Sequence, residues 1–284
     1  MAPESLRGRN PLRLLAILAH PDDETLGIGG VLARYAAEGV EVHLVTATRG
    51  EGGRFRGLKD GEGHPGREKL AAIRESELNA AASVLGIASV TQLGYEDGRL
   101  DQADPREATA RIAAAIRRQR PDVVITFPPD GGYGHPDHIA ICQLATAGVV
   151  LAARATPGSA AEESRAGDPP HAVSKLYYFV SSRPRWEAYQ AAFKKLTSMV
   201  DGVEREAQPW PDWMVTTVID TRAHWQQVQR AVDCHDSQVA GYEVLRQLGP
   251  EHREALWGRS ELYRVLSLVN GGRVRETDLF EGLR

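Results

Sequence analysis

Apolar residues fall in short blocks, separated by polar stretches that carry helical spacing. Leu12–Ala19 (LRLLAILA) is mostly apolar and runs straight into His20 and Pro21, which predicts a buried strand ending in a turn. Glycines follow, then a helix-like stretch from Gly29 to Glu38. Val40–Thr48 (VEVHLVTAT) is rich in β-branched residues and predicts a second strand. Strand, helix, strand in that order is the signature of a parallel βαβ unit. The alternation continues. Arg67–Leu85 reads as a helix stopped by Gly86, Ser89–Leu93 as a strand, and Pro105–Gln119 as a helix with proline in its first turn. Asp122–Phe127 (DVVITF) reads as a buried strand, and His135–Ala153 starts as a turn and becomes a helix. Farther on, Lys175–Ser181 and Trp213–Asp220 read as strands, and Thr221–Asp233 as a helix capped by Thr221.

These elements predict an α/β fold: a Rossmann-like, doubly wound, mostly parallel sheet over residues 12–182, with a smaller C-terminal α+β portion. A chain of 284 residues fits one large domain, so we read 1–284 as a single unit. Residues 1–182 form its core and 183–284 complete it. The segment Arg49–Gly66 is dense in glycine and charge and follows a strand, so it is either a ligand loop with lid character or a plain solvated loop. Thr156–Pro170 is small and polar and reads as a surface excursion. Four of the five tryptophans lie between positions 186 and 225.

Composition narrows the function classes. A formal net charge of −4 gives no basic footprint for nucleic acid and no patch for an anionic membrane. Cys142 and Cys234 form no CxxC, so neither a disulfide framework nor a thiolate metal site is expected. The first ten residues, MAPESLRGRN, lack the apolar run of a signal peptide. The apolar run Ile139–Ala153 is short for a bilayer span. The expected localisation is cytoplasmic.

Two clusters carry candidate chemistry. AHPDDE (Ala19–Glu24) sits where the first strand ends. Asp22, Asp23 and Glu24 repel one another unless a cation or hydrogen-bond donors compensate them. His20 adds an imidazole, and His-x-x-Asp across a proline turn can direct both side chains at one point. Taken alone, the segment also fits an acidic surface turn. Gly27, Gly29 and Gly30 do not make GxGxxG, and three acids are a poor setting for a pyrophosphate. We read these glycines as letting the helix pack close to the sheet. GGYGHPDH (Gly131–His138) follows the strand DVVITF, whose loop opens on the same sheet edge as the first strand's loop. Two histidines and one carboxylate give three ligands and leave the open position that metal catalysis needs; one of His135 and His138 is then free to face a substrate.

AHPDDE with a downstream GHPDH resembles the PIG-L/LmbE-like zinc deacetylases, which include N-acetylglucosaminyl deacetylases of the mycothiol, bacillithiol and glycosylphosphatidylinositol pathways. TATRGE (Thr46–Glu51), RESEL (Arg74–Leu78), YEDG (Tyr95–Gly98) and HDSQ (His235–Gln238) extend the resemblance over most of the chain. It implies that His20, Asp23 and His138 hold one Zn2+ per chain, with Fe2+ or another divalent ion as the alternative. It implies Asp22 as general base, His135 as transition-state partner and Asp137 as the residue orienting His135. Tyr133 is implied to polarise the amide carbonyl, Arg74 and Asp97 to contact the sugar, and HDSQ to lie near the site rim. Arg54 and Arg56 depart from the more acidic lid of the mycothiol type. The implied reaction removes an N-acetyl group from an N-acetylglucosamine-type amino sugar or its glycoside. The same site acting on a larger thiol-conjugate amide is the alternative, and a non-enzymatic nucleotide-binding module is a third reading that the three acids oppose. The expected partner is a small-molecule amino sugar, with no nucleic acid and no membrane. Relatives can be oligomeric, so homo-oligomerisation stays open.

Overall fold

The computed structural model describes residues 11–58, 61–155, 168–193, 197–200, 202–238, 245, 247–272 and 274–284. Near-continuous apolar runs suit strands covered on both faces. Accordingly β1 (Arg13–Leu18), β2 (Glu41–Thr48) and β4 (Val123–Thr126) are buried almost throughout. With β3 (Ser89–Tyr95) and β5 (Lys175–Val180) they pair in parallel. With β8 (Thr217–Asp220) and β9 (Arg259–Ser267), the full seven-stranded order is β3-β2-β1-β4-β5-β9-β8. The strand order reverses between β1 and β4, and ligands in such sheets sit in the crevice at the carboxyl ends of the strands there.

The helices follow the sequence reading closely. The helices α1 (Asp23–Leu26) and α2 (Gly29–Ala37) link β1 to β2. Next, α3 (Arg67–Leu85) ends at Gly86, whose φ of 79° only glycine adopts without strain. Asp104 caps α4 (Pro105–Gln119) by accepting from Arg106 N and Glu107 N. A short turn, α5 (Gly131–Gly134), precedes α6 (Pro136–Ala152), which packs on α4.

The C-terminal third departs from expectation. Asp212–Met214 is a 3-10 turn, and β8 begins only at Thr217, running to Asp220. Thr221 does not cap the next helix. Its hydroxyl donates to the Trp257 carbonyl, a 3-10 turn follows, and α8 spans Trp225–Asp233. Several elements were not anticipated: α7 (Arg183–Phe193), the hairpin β6 (Thr197–Val200) and β7 (Val203–Glu206), α9 (Pro250–Trp257) and β9 (Arg259–Ser267). β9 inserts antiparallel between β5 and β8, so the C-terminal third adds strands to the same sheet. The N-terminal ten residues and most of the Thr156–Pro170 excursion lie outside the described residues. Among those described, no helix is long and apolar enough to cross a membrane.

Two devices lock this arrangement. Glu276, near the chain end, is buried and accepts from Lys175 Nζ at 2.8 Å, Tyr177 OH at 2.8 Å and Thr217 Oγ1 at 2.7 Å. Asn270 Nδ2 and Arg264 Nη1 complete its shell, each at 2.8 Å. One carboxylate therefore fastens β5, β8 and β9 together. These cations and donors outweigh its burial and hold its pKa at about 2. The second device is close approach at the glycines. A Cβ on Gly30 would stand 2.8 Å from Thr221 Cβ and 2.9 Å from Trp257 O, and one on Gly29 would stand 3.1 Å from Val228 Cγ1. Gly29 and Gly30 thus bring α2 against Thr221, α8 and the end of α9, while a Cβ on Gly27 would stand 3.1 Å from Phe179 of β5, the close approach to the sheet that the sequence suggested.

Gly30→Ala should therefore destabilise the fold. Helix propensity alone favours alanine by ~1 kcal/mol, but overpacking against a backbone carbonyl costs about 1–3 kcal/mol. Urea unfolding reads the balance. A midpoint higher than wild type would show that α2 is not packed this closely.

Candidate metal centre and active site

The turn after β1 is built to aim carboxylates. Asp22 takes φ 105°, a left-handed conformation that Asp tolerates better than most residues, at a cost of about 1–3 kcal/mol. Glu24 holds it there, its Oε2 accepting Asp22 N–H at 2.9 Å. Arg74 is buried on α3 and reaches Asp22 Oδ2 at 3.0 Å; its other donors bind the carbonyls of Gly50 (2.8 Å) and Pro21. Asp23 begins α1 and turns its Oδ2 back onto the amides of His20 (2.7 Å) and Ala19 (3.2 Å).

Beyond β4, the Gly131–Gly134 turn and the first turn of α6 bring His138 to the same place. His20 Nδ1 and His138 Nε2 are 3.2 Å apart. Asp23 Oδ1 lies 3.5 Å from His138 Nε2, and Asp23 Oδ2 lies 3.6 Å from His20 Nδ1. Ligand bonds of about 2.0–2.1 Å at tetrahedral angles place neighbouring donor atoms roughly 3.3–3.4 Å apart, which these separations bracket.

The hydrogen bonds on the far side of each ring settle which nitrogen faces inward. His20 Nε2 is 3.1 Å from Asp137 Oδ2 and 3.1 Å from Asp97 Oδ1, so it carries the proton. His138 Nδ1 donates to Gly131 O at 3.1 Å. Both neutral rings therefore turn lone pairs toward one point, beside a carboxylate oxygen. Such an arrangement is repulsive unless a cation fills it, and carboxylate- or carbonyl-pinned imidazoles are how proteins prepare metal ligands. Without the ion, a proton takes the position. Burial works against a charge on His20, but Asp137, Asp97 and Asp23 together raise its pKa well above 6.5. Burial and then the charge of His20 hold His138 well below its usual value. Burial pushes Asp23 up to about 7, against the pull of His20.

A third imidazole competes for the ligand role: His20, His135 and His138 each offer a nitrogen within 4.8 Å of the others. His135 differs in its hydrogen bond. Its Nδ1 accepts the backbone N–H of Asp137 at 3.2 Å, capping α6, so the proton sits on Nε2. Burial, then His20, lower its pKa and keep it neutral. It is set up as a hydrogen-bond donor. Tyr133 stands edge-on to His138 with centroids 5.1 Å apart, and burial raises its phenol pKa so that the hydroxyl keeps its proton.

Four implied roles meet different geometry. The Asp137 carboxylate accepts from Gly98 N (2.8 Å) and Leu100 N (3.0 Å) and holds His20, not His135. Asp97 also stands behind His20, with Gly52 N donating to its Oδ2 at 2.9 Å; the His20 interactions outweigh burial and lower its pKa. Arg74 stands behind Asp22. HDSQ is not at the rim: His235 is fully buried, with Nε2 2.7 Å from Glu24 Oε1, and Ser237 binds Glu77. The first part of the Arg49–Gly66 loop is pinned over this layer, through Gly52 to Asp97, Arg56 N to Ser237 O and Gln238 Nε2 to Arg54 O.

Asp22, Asp23, His138 and Tyr133 open onto a cavity of about 330 Å³. Its other walls include Leu26, Phe127, Phe179, Arg185, Trp186, Tyr189 and Trp210. Phe127 stacks on His138 at 3.9 Å and 21°, which fixes the ring plane. Sequence reasoning missed this wall. The tryptophan density after residue 186 was its one signal, and composition alone does not say what aromatic rings face.

Comparison with known proteins agrees with this geometry. The family model described as GlcNAc-PI de-N-acetylase (PIG-L) matches residues 15–149. A 1D-myo-inositol 2-acetamido-2-deoxy-alpha-D-glucopyranoside deacetylase of Rhodococcus jostii is 38% identical over 80% of this chain and 82% of its own. An enzyme of the same description from Rhodococcus erythropolis is 35% identical over 95% of this chain and 97% of its own. Among solved structures, a conserved protein of Thermus thermophilus superposes with a TM-score of 0.62 at 28% identity, over 92% of this chain and 97% of that one.

Two outcomes test the centre. Asp137→Asn puts an amide where three donors converge, so divalent-ion affinity should fall roughly 10- to 100-fold. Affinity unchanged with only turnover reduced would return Asp137 to His135. Metal loading must also displace protons from Asp23 and His20, so affinity should weaken as pH falls through about 7. A titration flat from pH 8 to about pH 6 would exclude these residues as ligands.

Proposed function

This chain belongs to the PIG-L family of GlcNAc-PI de-N-acetylases, and on that premise we propose that it hydrolyses the N-acetyl group of an N-acetylglucosamine-type amino sugar or glycoside, releasing acetate and a free amine. The observation that carries the reading is the pair of inward-facing imidazole lone pairs beside Asp23, at the mouth of a cavity that can enclose a substrate. We assign His20, Asp23 and His138 to zinc. When bound, the ion supplies a Lewis acid that brings water deprotonation within reach of neutral pH and polarises the amide.

The protein's own groups do the rest. Asp22 borders the cavity, and Arg74 holds its carboxylate through Oδ2. That position suits a base that takes a proton from the attacking water. His135 Nε2–H and the Tyr133 hydroxyl are donors for the carbonyl oxygen as it gains charge, and each such donor is commonly worth on the order of 100-fold in rate. The departing amine needs a proton, and Asp22, having just received one, supplies it by the logic of a single shuttling carboxylate; a protonated His135 is the alternative donor, which the burial that lowers its pKa disfavours. Asp97, Asp137 and Arg74 act through the residues they hold. A larger thiol-conjugate amide remains the second substrate reading.

Acetate release across N-acetylglucosaminyl compounds, with zinc-loaded and chelated protein compared, tests the reaction. Loaded protein should release acetate and chelated protein should not. Cleavage of thioether-conjugate amides with no acetate from simple glycosides would move the protein to the amidase reading. Asp22→Asn, chosen because asparagine tolerates the positive φ, should lower kcat by roughly 10²- to 10⁴-fold with the metal retained. Loss of metal from this variant would place Asp22 among the ligands.

A further inference from the structure

HDSQ (His235–Gln238) follows directly after α8, and none of its four residues borders the cavity. His235 nevertheless has no exposed surface, and its Nε2 lies 2.7 Å from Glu24 Oε1. Its Nδ1 is shut off from solvent and, among the described residues, hydrogen-bonds to nothing. A buried ring with one nitrogen unpaired costs more than an apolar side chain of its size. Glu24 is the partner that offsets this cost. Glu24 is buried as well, and its second oxygen accepts the Asp22 N–H at 2.9 Å. Without His235, Glu24 would be an unpaired buried charge beside Asp22 and Asp23, driven to turn toward water. The Asp22 amide would lose its acceptor.

Ser237 acts on the other end of Asp22. Its N–H and its hydroxyl both donate to Glu77, at 2.6 and 2.7 Å. Glu77 and Arg74 stand three residues apart on α3, on one face of the helix, and both are buried. Arg74 reaches Asp22 Oδ2 at 3.0 Å, and Gly50 lies so close to its guanidinium that a Cβ would have no room. The loop that carries Gly50 is fastened to the same segment, by Arg56 N–H to Ser237 O. Two routes therefore run from HDSQ to one side chain. His235 works through Glu24 on the Asp22 backbone, and Ser237 works through Glu77 and α3 on the arginine that grips the Asp22 carboxylate.

We propose that HDSQ is a positioning segment for the general base: it fixes the backbone and the carboxylate of Asp22 from two sides, and so sets where that carboxylate meets the attacking water. The proposal rests on the deacetylase reading for the role of Asp22, but not for the pose of Asp22. The residues assigned to the metal are held by other groups: Asp23 by the amides of Ala19 and His20, His20 by Asp137 and Asp97, and His138 by Gly131 O. HDSQ therefore acts on turnover and leaves metal affinity alone.

Zinc-loaded protein and an N-acetylglucosaminide that it turns over provide the test. His235→Phe fills the space of the ring without its donor. Its kcat per bound zinc should fall roughly 10- to 100-fold, the cost of misplacing a reacting group by about 1 Å, with KM and zinc affinity unchanged. His235→Gln restores an N–H near the position of Nε2 and should recover most of the loss. In an Asp22→Asn background, His235→Phe should cost nothing further, because residues that act through one group are not additive. Losses that multiply, or zinc that is lost in step with kcat, would mean that HDSQ only supports the fold, and overturn the proposal. If His235→Phe does not fold, Ser237→Ala, which keeps the Ser237 N–H bond to Glu77, carries the same comparison with a smaller loss. Crystal structures of wild type and the folded variant decide the pose without turnover. Asp22 should leave its left-handed conformation or its contact with Arg74, and an Asp22 that stays in place overturns the proposal. Asp22 displaced in the variant, with no acetate released by wild type from any N-acetylglucosaminide, keeps the positioning segment and removes the deacetylase.

Discussion

Two imidazole nitrogens 3.2 Å apart, both presenting lone pairs to the same point, are the constraint around which this molecule is organised. Left to themselves the rings would rotate apart. They are held by groups on the other side: Asp137 and Asp97 on His20, Gly131 O and the Phe127 ring on His138. Those groups are held in turn, Asp137 by two amides of the segment after β3 and Asp97 by Gly52. The order extends outward by at least three contacts, and each contact joins loops at the carboxyl edge of the parallel sheet.

The same outward logic governs Asp22. A residue at φ 105° relaxes unless its surroundings fix it. Glu24 binds its amide, His235 binds Glu24, and both side chains of that pair have no exposed surface. His235 comes from the end of α8, more than two hundred positions along the chain. The acidic crowding in AHPDDE is therefore resolved residue by residue. Asp23 uses backbone amides and the metal position, Asp22 uses Arg74, and Glu24 uses His235.

Much of the first half was legible because its physics is local. β1, β2 and β4 are apolar runs ended by turn residues, α3 stops at a glycine, and α4 starts at Asp-Pro. The convergence of His20 with His138 was also legible, since two loops after parallel strands must open on one edge. What could not be read was non-local. β9 carries charges at Arg259, Glu261 and Arg264 that hide its strand character until Glu276 and Ser182 supply partners. Asp137 and His135 are two positions apart in sequence, which suggested a direct bond. Helix geometry instead turns the Asp137 carboxylate to the amides of Gly98 and Leu100, and only its backbone N–H reaches His135. The aromatic wall belongs to segments with no chemical motif, so nothing near Trp186 or Trp210 announced a cavity.

The position of Glu276 has a consequence for how the molecule is made. His20, Asp23 and His138 all lie within the first 138 residues, on the segments that follow β1 and β4. The far wall of the chamber is different. It hangs on β5 and α7, and β5 is secured to β8 and β9 by the Glu276 carboxylate, which follows all of these elements in the sequence. A nascent polypeptide can therefore bring His20, Asp23 and His138 together while its apolar chamber still lacks its clasp. Closure of that chamber follows the meeting of the two histidine turns, and a chain interrupted before Glu276 would keep those turns while losing the clasp.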